Sequence, residues 1–160
     1  MSKPQFNIIK TANMDAGLKA QVIKLIRKLY LFESFIMHQK ELDFNPSKLD
    51  KTMIPFLDRA DTCVMAVVDG DLVGVLLNDE QLTEISILYV EEKFRSQNIG
   101  ENLVKIFIRH HKGKEVTVQC LEENKRAVLF YERVGFIFDP EPVKVNTAFN
   151  LLGRIINPLT

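Results

Sequence analysis

The sequence predicts one α/β (α+β) domain built on a mixed sheet, and three observations carry that expectation. Its 160 residues are 46% apolar and 26% charged, enough to bury one core without disulfide or metal support and far from a disordered composition. β-Rich runs bunch between residues 63 and 90 and then alternate with helical periodicity, which implies early antiparallel pairing followed by a parallel crossover. No repeat, low-complexity tract or Pro/Gly/Ser-rich linker divides the chain, so residues 1–160 read as a single domain.

Taken in order, Gln5 to Lys10 reads as a first strand. From about Met14 the apolar positions Leu18, Val22, Leu25, Ile26, Leu29 and Phe32 recur at helical spacing and predict a long amphipathic helix. A mixed stretch broken at Asn45-Pro46 follows, and Leu49, Met53 and Phe56 then suggest a second, short helix. Cys63 to Val68 and Leu72 to Leu77 form a hairpin, because Asp69-Gly70 accepts the positive φ of a tight turn. Thr83 to Val90 is a third β-rich run, and helical period returns through Ile99, Leu103, Ile106 and Phe107. The pattern repeats as a strand over Glu115–Leu121 and a helix over about Lys125–Val134, closed by Gly135. Phe136–Phe138 and Val145–Leu152 read as two final strands.

Charge and cysteines narrow the function classes. Lys plus Arg and Asp plus Glu both number 21, so no general polyanion attraction is expected and nucleic acid is disfavoured as a partner. No run approaches the ~18 apolar residues of a membrane span, and Met1 to Lys10 lacks the apolar core of a leader, so a cytoplasmic protein without a membrane partner is expected. Cys63 and Cys120 are far apart and lack the companions of a metal site, so no metal is expected and buried reduced thiols are the reading. His110 and His111, adjacent near a helix C-terminus where the dipole favours them, read as solvated.

The stretch with the most chemistry is a strand, Glu84 to Val90, feeding a polar loop, Phe94-Arg-Ser-Gln-Asn-Ile-Gly100, that opens a helix. The first turn of a helix leaves backbone N–H groups unpaired and carries partial positive charge, so a pyrophosphate can bind there. Ser96, Asn98 and Gly100 are small or turn-tolerant enough to let phosphate oxygens approach the main chain. Taken alone, the loop fits an ordinary strand-to-helix turn equally well.

This segment resembles the central motif of the GNAT acyltransferase superfamily, Arg/Gln-x-x-Gly-x-Gly/Ala, with Arg95 and Gly100 in the first and sixth positions and Asn98 where glycine is usual. A rival register starts at Gln97 and places Gly100 fourth and Asn102 sixth. A second and more specific match is Asn124-Lys-Arg-Ala-Val-Leu-Phe-Tyr-Glu-Arg-Val-Gly-Phe136, which is similar to the family's Asn-x-x-Ala-x-x-Phe-Tyr-x-x-x-Gly-Phe element. Ala127, Phe130 and Val134 share one helical face there, while Asn124 and Tyr131 lie about two turns apart and can address one groove. The resemblance covers roughly Cys63 to Phe138. It implies a mostly antiparallel sheet of six to seven strands with about four helices, an N-acetyltransferase that uses acetyl-CoA, and a possible homodimer.

The resemblance also implies residue roles. The strand at Thr83–Val90 would splay from that at Val116–Leu121 to admit the pantetheine arm, with main chain at Leu88, Tyr89 and Val90 beside it. The pyrophosphate would rest on Arg95, Ser96, Gln97, Asn98, Ile99, Gly100 and Glu101, with Asn124 and Tyr131 on the opposite wall. A neutral primary amine, small molecule or peptide, would attack the thioester directly, and a backbone N–H near Leu88 would hold the oxyanion. Tyr131 is the expected acid toward the departing thiolate and Glu84 the expected base, on the reasoning that strand alternation places Glu84 with Ser86 and Leu88. His38 is the other base considered. Glu33, Glu41 and Asp43 would suit a cationic acceptor or form a solvated face, and Cys120 lacks the base that a nucleophile needs. A non-catalytic acetyl-CoA sensor or interaction module of the same fold is the rival class.

Overall fold

The structure, a computed structural model, describes residues 2–38, 51, 55–79, 83–145 and 148–156, without the side chains of 34–38, 143–145, 148–150 and 156. Among them, strands β1 (Gln5–Lys10), β2 (Ala60–Val68), β3 (Asp71–Asp79), β4 (Glu84–Val90), β5 (Glu115–Leu121), β6 (Ile137–Phe138), β7 (Val143–Val145) and β8 (Ala148–Ile156) form one sheet. Its order is β1-β2-β3-β4-β5-β8-β6, with β7 paired to β8. Helices α1 (Ala16–His38), α2 (Ile99–His110) and α3 (Lys125–Val134) flank it, and residues 55–59 are a further helical stretch. The mixed α/β class is as the sequence predicts. The rest of the expected second short helix, with Glu41 and Asp43, lies outside the described residues, apart from a helical residue at 51. The run predicted as one strand at Val145–Leu152 is instead divided between β7 and β8, which pair antiparallel as a hairpin.

Local chemistry places these elements. Asp69 and Gly70 hold φ of 50° and 84°, and Val68 pairs with Asp71 across them, the tight hairpin turn that Asp-Gly favours. The α1 backbone starts where the Asp15 carboxylate accepts the N–H of Leu18 at 2.7 Å. Helix α3 ends at Gly135, whose φ of 119° lets its own N–H and that of Phe136 fold back onto the Tyr131 carbonyl at 3.1 and 2.9 Å.

The sheet divides the core into two layers. Val22, Leu25 and Ile26 of α1 pack on Cys63, Met65, Val75 and Leu77. On the other face, Ile99, Leu103, Val104 and Phe107 of α2 and Tyr131 of α3 pack on Val64, Ala66, Leu76, Val116 and Val118. Strands β2 and β3 are buried on both faces, which is why they read as continuous apolar runs. Gly74 lets α2 approach closely, since a Cβ there would lie 3.2 Å from both Ile99 Cγ2 and Leu103 Cδ1. Gly74→Val is therefore expected to destabilise the fold by about 1–3 kcal/mol, read as a shift in urea midpoint; an unchanged midpoint would show that α2 has room to retreat.

Among the described residues one strand pair is parallel, β4 with β5, and it is short. Only Glu84↔Thr117 and Ile85↔Val118 are in register, and beyond them the strands part. β3 and β4 also carry a bulge: Leu77 faces Ile87 but Asn78 faces Ile85, so Ser86 is an extra residue on β4.

Candidate active site

The gap opened by β4 and β5 leads into a cavity of about 690 Å³, within the range of small-molecule sites. Four separate segments line it, one of them the end of α1. Leu88, Tyr89 and Val90 supply the β4 wall, Arg95, Ser96, Asn98, Ile99, Gly100 and Glu101 the floor, and Asn124, Ala127, Phe130 and Tyr131 the α3 wall. The structure thus brings together every expected site residue except two, Gln97 and Glu84, which do not line the cavity.

The floor is a set of backbone donors. Ser96 and Asn98 hold φ of 73° and 60°, the left-handed geometry expected of Asn98 in place of glycine. The first bond of α2 runs from the Asn102 N–H to the Asn98 carbonyl at 3.0 Å, so the amides of Ile99, Gly100 and Glu101 precede the helix's own ladder. The N-cap residue, Asn98, makes no side-chain capping bond. The contrast with α3 is direct: there Asn124 Oδ1 accepts the Ala127 N–H at 3.2 Å. The Ile99, Gly100 and Glu101 positions line the cavity, so the donors and dipole of the α2 terminus lie at it, an arrangement that holds anions.

Arg95 ties this floor to the strand. Its Nε donates to the Val90 carbonyl at 3.0 Å and its guanidinium lies 5.3 Å from the Tyr89 ring centroid. Gly100 sits where a Cβ would be 3.3 Å from the Phe130 ring, so glycine allows α2 and α3 to converge on one cleft. Two further arginines, Arg126 and Arg133 on α3, line the same cavity and were not anticipated. They occupy variable positions of the Asn124–Phe136 element, and only the cavity shows that they join Arg95 around it.

Tyr131 is buried, and its ring meets Phe130 and Phe136 edge-on at 5.2 and 5.4 Å. Burial first, and then electrostatic interaction with Cys120 and Glu33, push its phenol well above the usual tyrosine range, so it is a protonated donor near neutral pH. Cys120 is pushed up to about 11 by burial and by Glu33, which holds it as a thiol.

Glu84 needs a correction. Strict alternation would place it with Leu88, but the bulge at Ser86 breaks the period: Ile85 and Leu88 both pack in the α2/α3 layer, while Ile87 and Tyr89 pack in the α1 layer. Glu84 therefore shares a face with Tyr89, not Leu88. It sits at the closed end of the gap, where its Oε2 accepts from Thr117 Oγ1 at 3.5 Å, and burial first, then Asp79, raises its pKa. His38 ends α1, and its side chain is outside those described. Helix α1 contributes two residues that periodicity assigned to the core stripe: Leu29 and Phe32 line the cavity, and Phe32 is 40% exposed there. No group of three His, Cys, Asp or Glu side chains among the described residues could hold a metal ion. Nor is any described helix long and apolar enough to cross a membrane.

Comparison with known proteins agrees with this geometry. The chain is 31% identical over 83 residues to N-alpha-acetyltransferase 30 of Dictyostelium discoideum, a match covering 46% of this chain and 45% of the relative. It spans less than half the length of that curated protein. Among solved structures, an acyl-CoA N-acyltransferase from Pseudomonas aeruginosa superposes with a TM-score of 0.67 at 17% identity, covering 95% of this chain and 99% of the other. A GNAT family acetyltransferase from Elizabethkingia anophelis with acetyl-CoA bound superposes at 0.56 and 20% identity, covering 66% and 82%. A family profile described as acetyltransferase (GNAT) domain matches residues 39–150, well over half of the 160, and the chain therefore belongs to the GNAT acetyltransferase family.

Proposed function

We propose that this protein moves an acetyl group from acetyl-CoA to a primary amine by direct attack. The observation that carries the reading is the convergence of a helix terminus whose N-cap makes no side-chain bond, an unpaired stretch of β4 and a buried tyrosine on one cavity. Each part fits a piece of the donor. The Ile99–Glu101 amides and the arginines at 95, 126 and 133 would hold its pyrophosphate and phosphate. The main chain of Leu88–Val90, without a β5 partner, would pair with the amides of its pantetheine arm, and Asn124 would face it from α3. Acetyl-CoA supplies a thioester whose leaving group is a thiolate.

The chain's own residues supply the rest. A backbone N–H near Leu88 is fixed before reaction and can meet developing negative charge without reorganisation. Tyr131, held protonated, donates to the leaving sulfur. Apolar side chains of Leu29, Phe32, Leu88 and Phe130 lower the local dielectric of the lining and strengthen both interactions. The amine class rests on family membership and on the similarity to a protein named as an N-alpha-acetyltransferase. Phe32 and Leu129, exposed at the cavity's edge, leave room for either a small amine or a peptide.

Calorimetry with acetyl-CoA, followed by thiol release on a panel of amines, tests the reading in two steps. Binding with release supports it; binding without release on any amine favours the sensor module; absence of binding sinks both. The floor has its own test. Asn98→Val forces a β-branched residue into left-handed geometry at a cost of about 1–3 kcal/mol and is expected to weaken acetyl-CoA binding by about tenfold or more, whereas Asn98→Gly keeps it.

A further inference from the structure

We propose that Glu33 accepts the proton lost by the acceptor amine, working across the sheet gap from the face opposite Tyr131. This role rests on the amine-acetylation reading above. Leu29 and Phe32 of α1 line the cavity, and Glu33 follows Phe32 and lies one helical turn beyond Leu29, on the same stripe. It is partly buried.

The opposition of faces is the main argument. Helix α1 packs on the β3 and β4 face that carries Val75, Leu77, Ile87 and Tyr89, whereas Tyr131 and Cys120 belong to the α2/α3 layer. Glu33 adjoins the cavity-lining Leu29 and Phe32, and in keeping with that placement its charge is among the causes that raise the pKa of the Tyr131 phenol and the Cys120 thiol. A carboxylate on one face can reach groups on the other only where the sheet is open, and β4 and β5 are unpaired past Ile85. An acyl carbon in that gap would have the donor's sulfur toward Tyr131 and the attacking nitrogen toward Glu33. Neither carboxylate lines the cavity itself, but Glu84, the base the sequence suggested, lies at the closed end of the gap, whereas Glu33 adjoins the cavity-lining Leu29 and Phe32.

Burial pushes Glu33 up to about 7, which suits a group that must accept a proton near neutral pH and give it up again. In the step, the amine nitrogen bonds to the acyl carbon and the carbon–sulfur bond breaks. The nitrogen's proton passes to Glu33, the thiolate takes the Tyr131 proton, and water returns a proton from Glu33 to the tyrosinate. Atoms and charge balance without another reactant. The two transfers also assist each other. The Glu33 charge is one of the causes holding the proton on Tyr131, so neutralising Glu33 makes Tyr131 a better acid at the moment the thiolate leaves.

The test measures kcat/KM against pH for the wild type and Glu33→Gln, with phenethylamine, spermidine and a short peptide bearing a free N-terminus. With phenethylamine and spermidine the wild type should rise along a limb centred near 7, well below the ionisation of those amines at ~10, whereas the peptide's α-amino group ionises at ~8 and adds a limb of its own. Glu33→Gln should lose that limb and about 10²-fold in rate at pH 8, with acetyl-CoA affinity kept within about twofold. Thermal melting gives a readout independent of turnover. A carboxyl raised from 4.5 to about 7 by folding favours the fold below pH 4.5 and opposes it once ionised, so Glu33→Gln should melt higher than wild type at pH 8.5, with the difference shrinking toward pH 4. Should Glu33→Gln not fold, the wild-type limb and Glu33→Asp, which keeps the limb at reduced rate, decide the matter. Full activity and an intact limb in Glu33→Gln overturn the role of Glu33 alone. No turnover of any amine by a wild type that binds acetyl-CoA refutes amine transfer itself, and this role with it.

Discussion

Replacing Tyr131 with Phe is expected to lower kcat for acetyl transfer by about 10²- to 10³-fold and to leave acetyl-CoA affinity within about twofold. The substitution keeps the ring, and with it the edge contacts to Phe130 and Phe136 that fix the residue's place. Only the hydroxyl is lost. Its proton is held well above the usual tyrosine range, so passing it to a thiolate whose acid lies near ~8.5 is uphill, each pKa unit costing about 1.4 kcal/mol. The transfer must therefore be concerted with departure of the sulfur rather than precede it. No tyrosine limb should appear in the pH profile below about 10. Steady-state kinetics with matched calorimetry make the measurement, and a variant with undiminished kcat would remove Tyr131 from the chemistry.

Phe107→Ala is expected to cost about 3–5 kcal/mol of stability, the largest effect of any single truncation proposed for this fold. Phe107 is completely buried and sits between α2 and the sheet. Its ring also lies 4.4 Å from that of His111, at the end of the same helix. Removing it leaves a void under the helix whose first turn forms the cavity floor, so acetyl-CoA affinity should fall together with stability. Urea denaturation reads the first effect directly. A loss under about 1 kcal/mol would mean that the layer collapses to fill the void.

Several features of the site were legible because one residue type answers one local demand. Asn124 caps α3, Gly135 closes it, Asp69-Gly70 turns the hairpin, and Asn98 takes left-handed geometry in the loop. Each is decided within a few residues of sequence. The bulge at Ser86 was not legible: Glu-Ile-Ser-Ile-Leu-Tyr-Val alternates acceptably in either register, and only pairing with β3 selects the slip that turns Glu84 away from Leu88. Helix α1 posed the same difficulty at larger scale. Its apolar spacing continues smoothly from Ile26 to Phe32, yet Val22, Leu25 and Ile26 meet the sheet while Leu29 and Phe32 run past it into the cavity. Where a helix outruns its partner is a tertiary fact. Glu33, Arg126 and Arg133 gain their interest from that placement and carried no local signal beyond being charged.

The two-pair seam between β4 and β5 has a consequence for how stability is distributed. Among the described residues the α1 layer is built from residues up to Tyr89, so apart from the two-pair seam it is the α2/α3 layer that ties the segment from β5 onward to the rest. Strands β5 and β8, with α3 and β6, therefore resemble a separable cooperative unit, able to open while β1–β4 and α1 stay folded. That unit carries Asn124 and Tyr131, whereas Leu88–Val90 and the α2 terminus belong to the other. A molecule bound in the cleft touches both and so merges two unfolding units into one, adding RT ln(1 + [L]/Kd), or about 2.7 kcal/mol at a hundredfold excess over Kd. Slow hydrogen exchange would then spread into β5 and β8 on binding, far from any atom the ligand contacts.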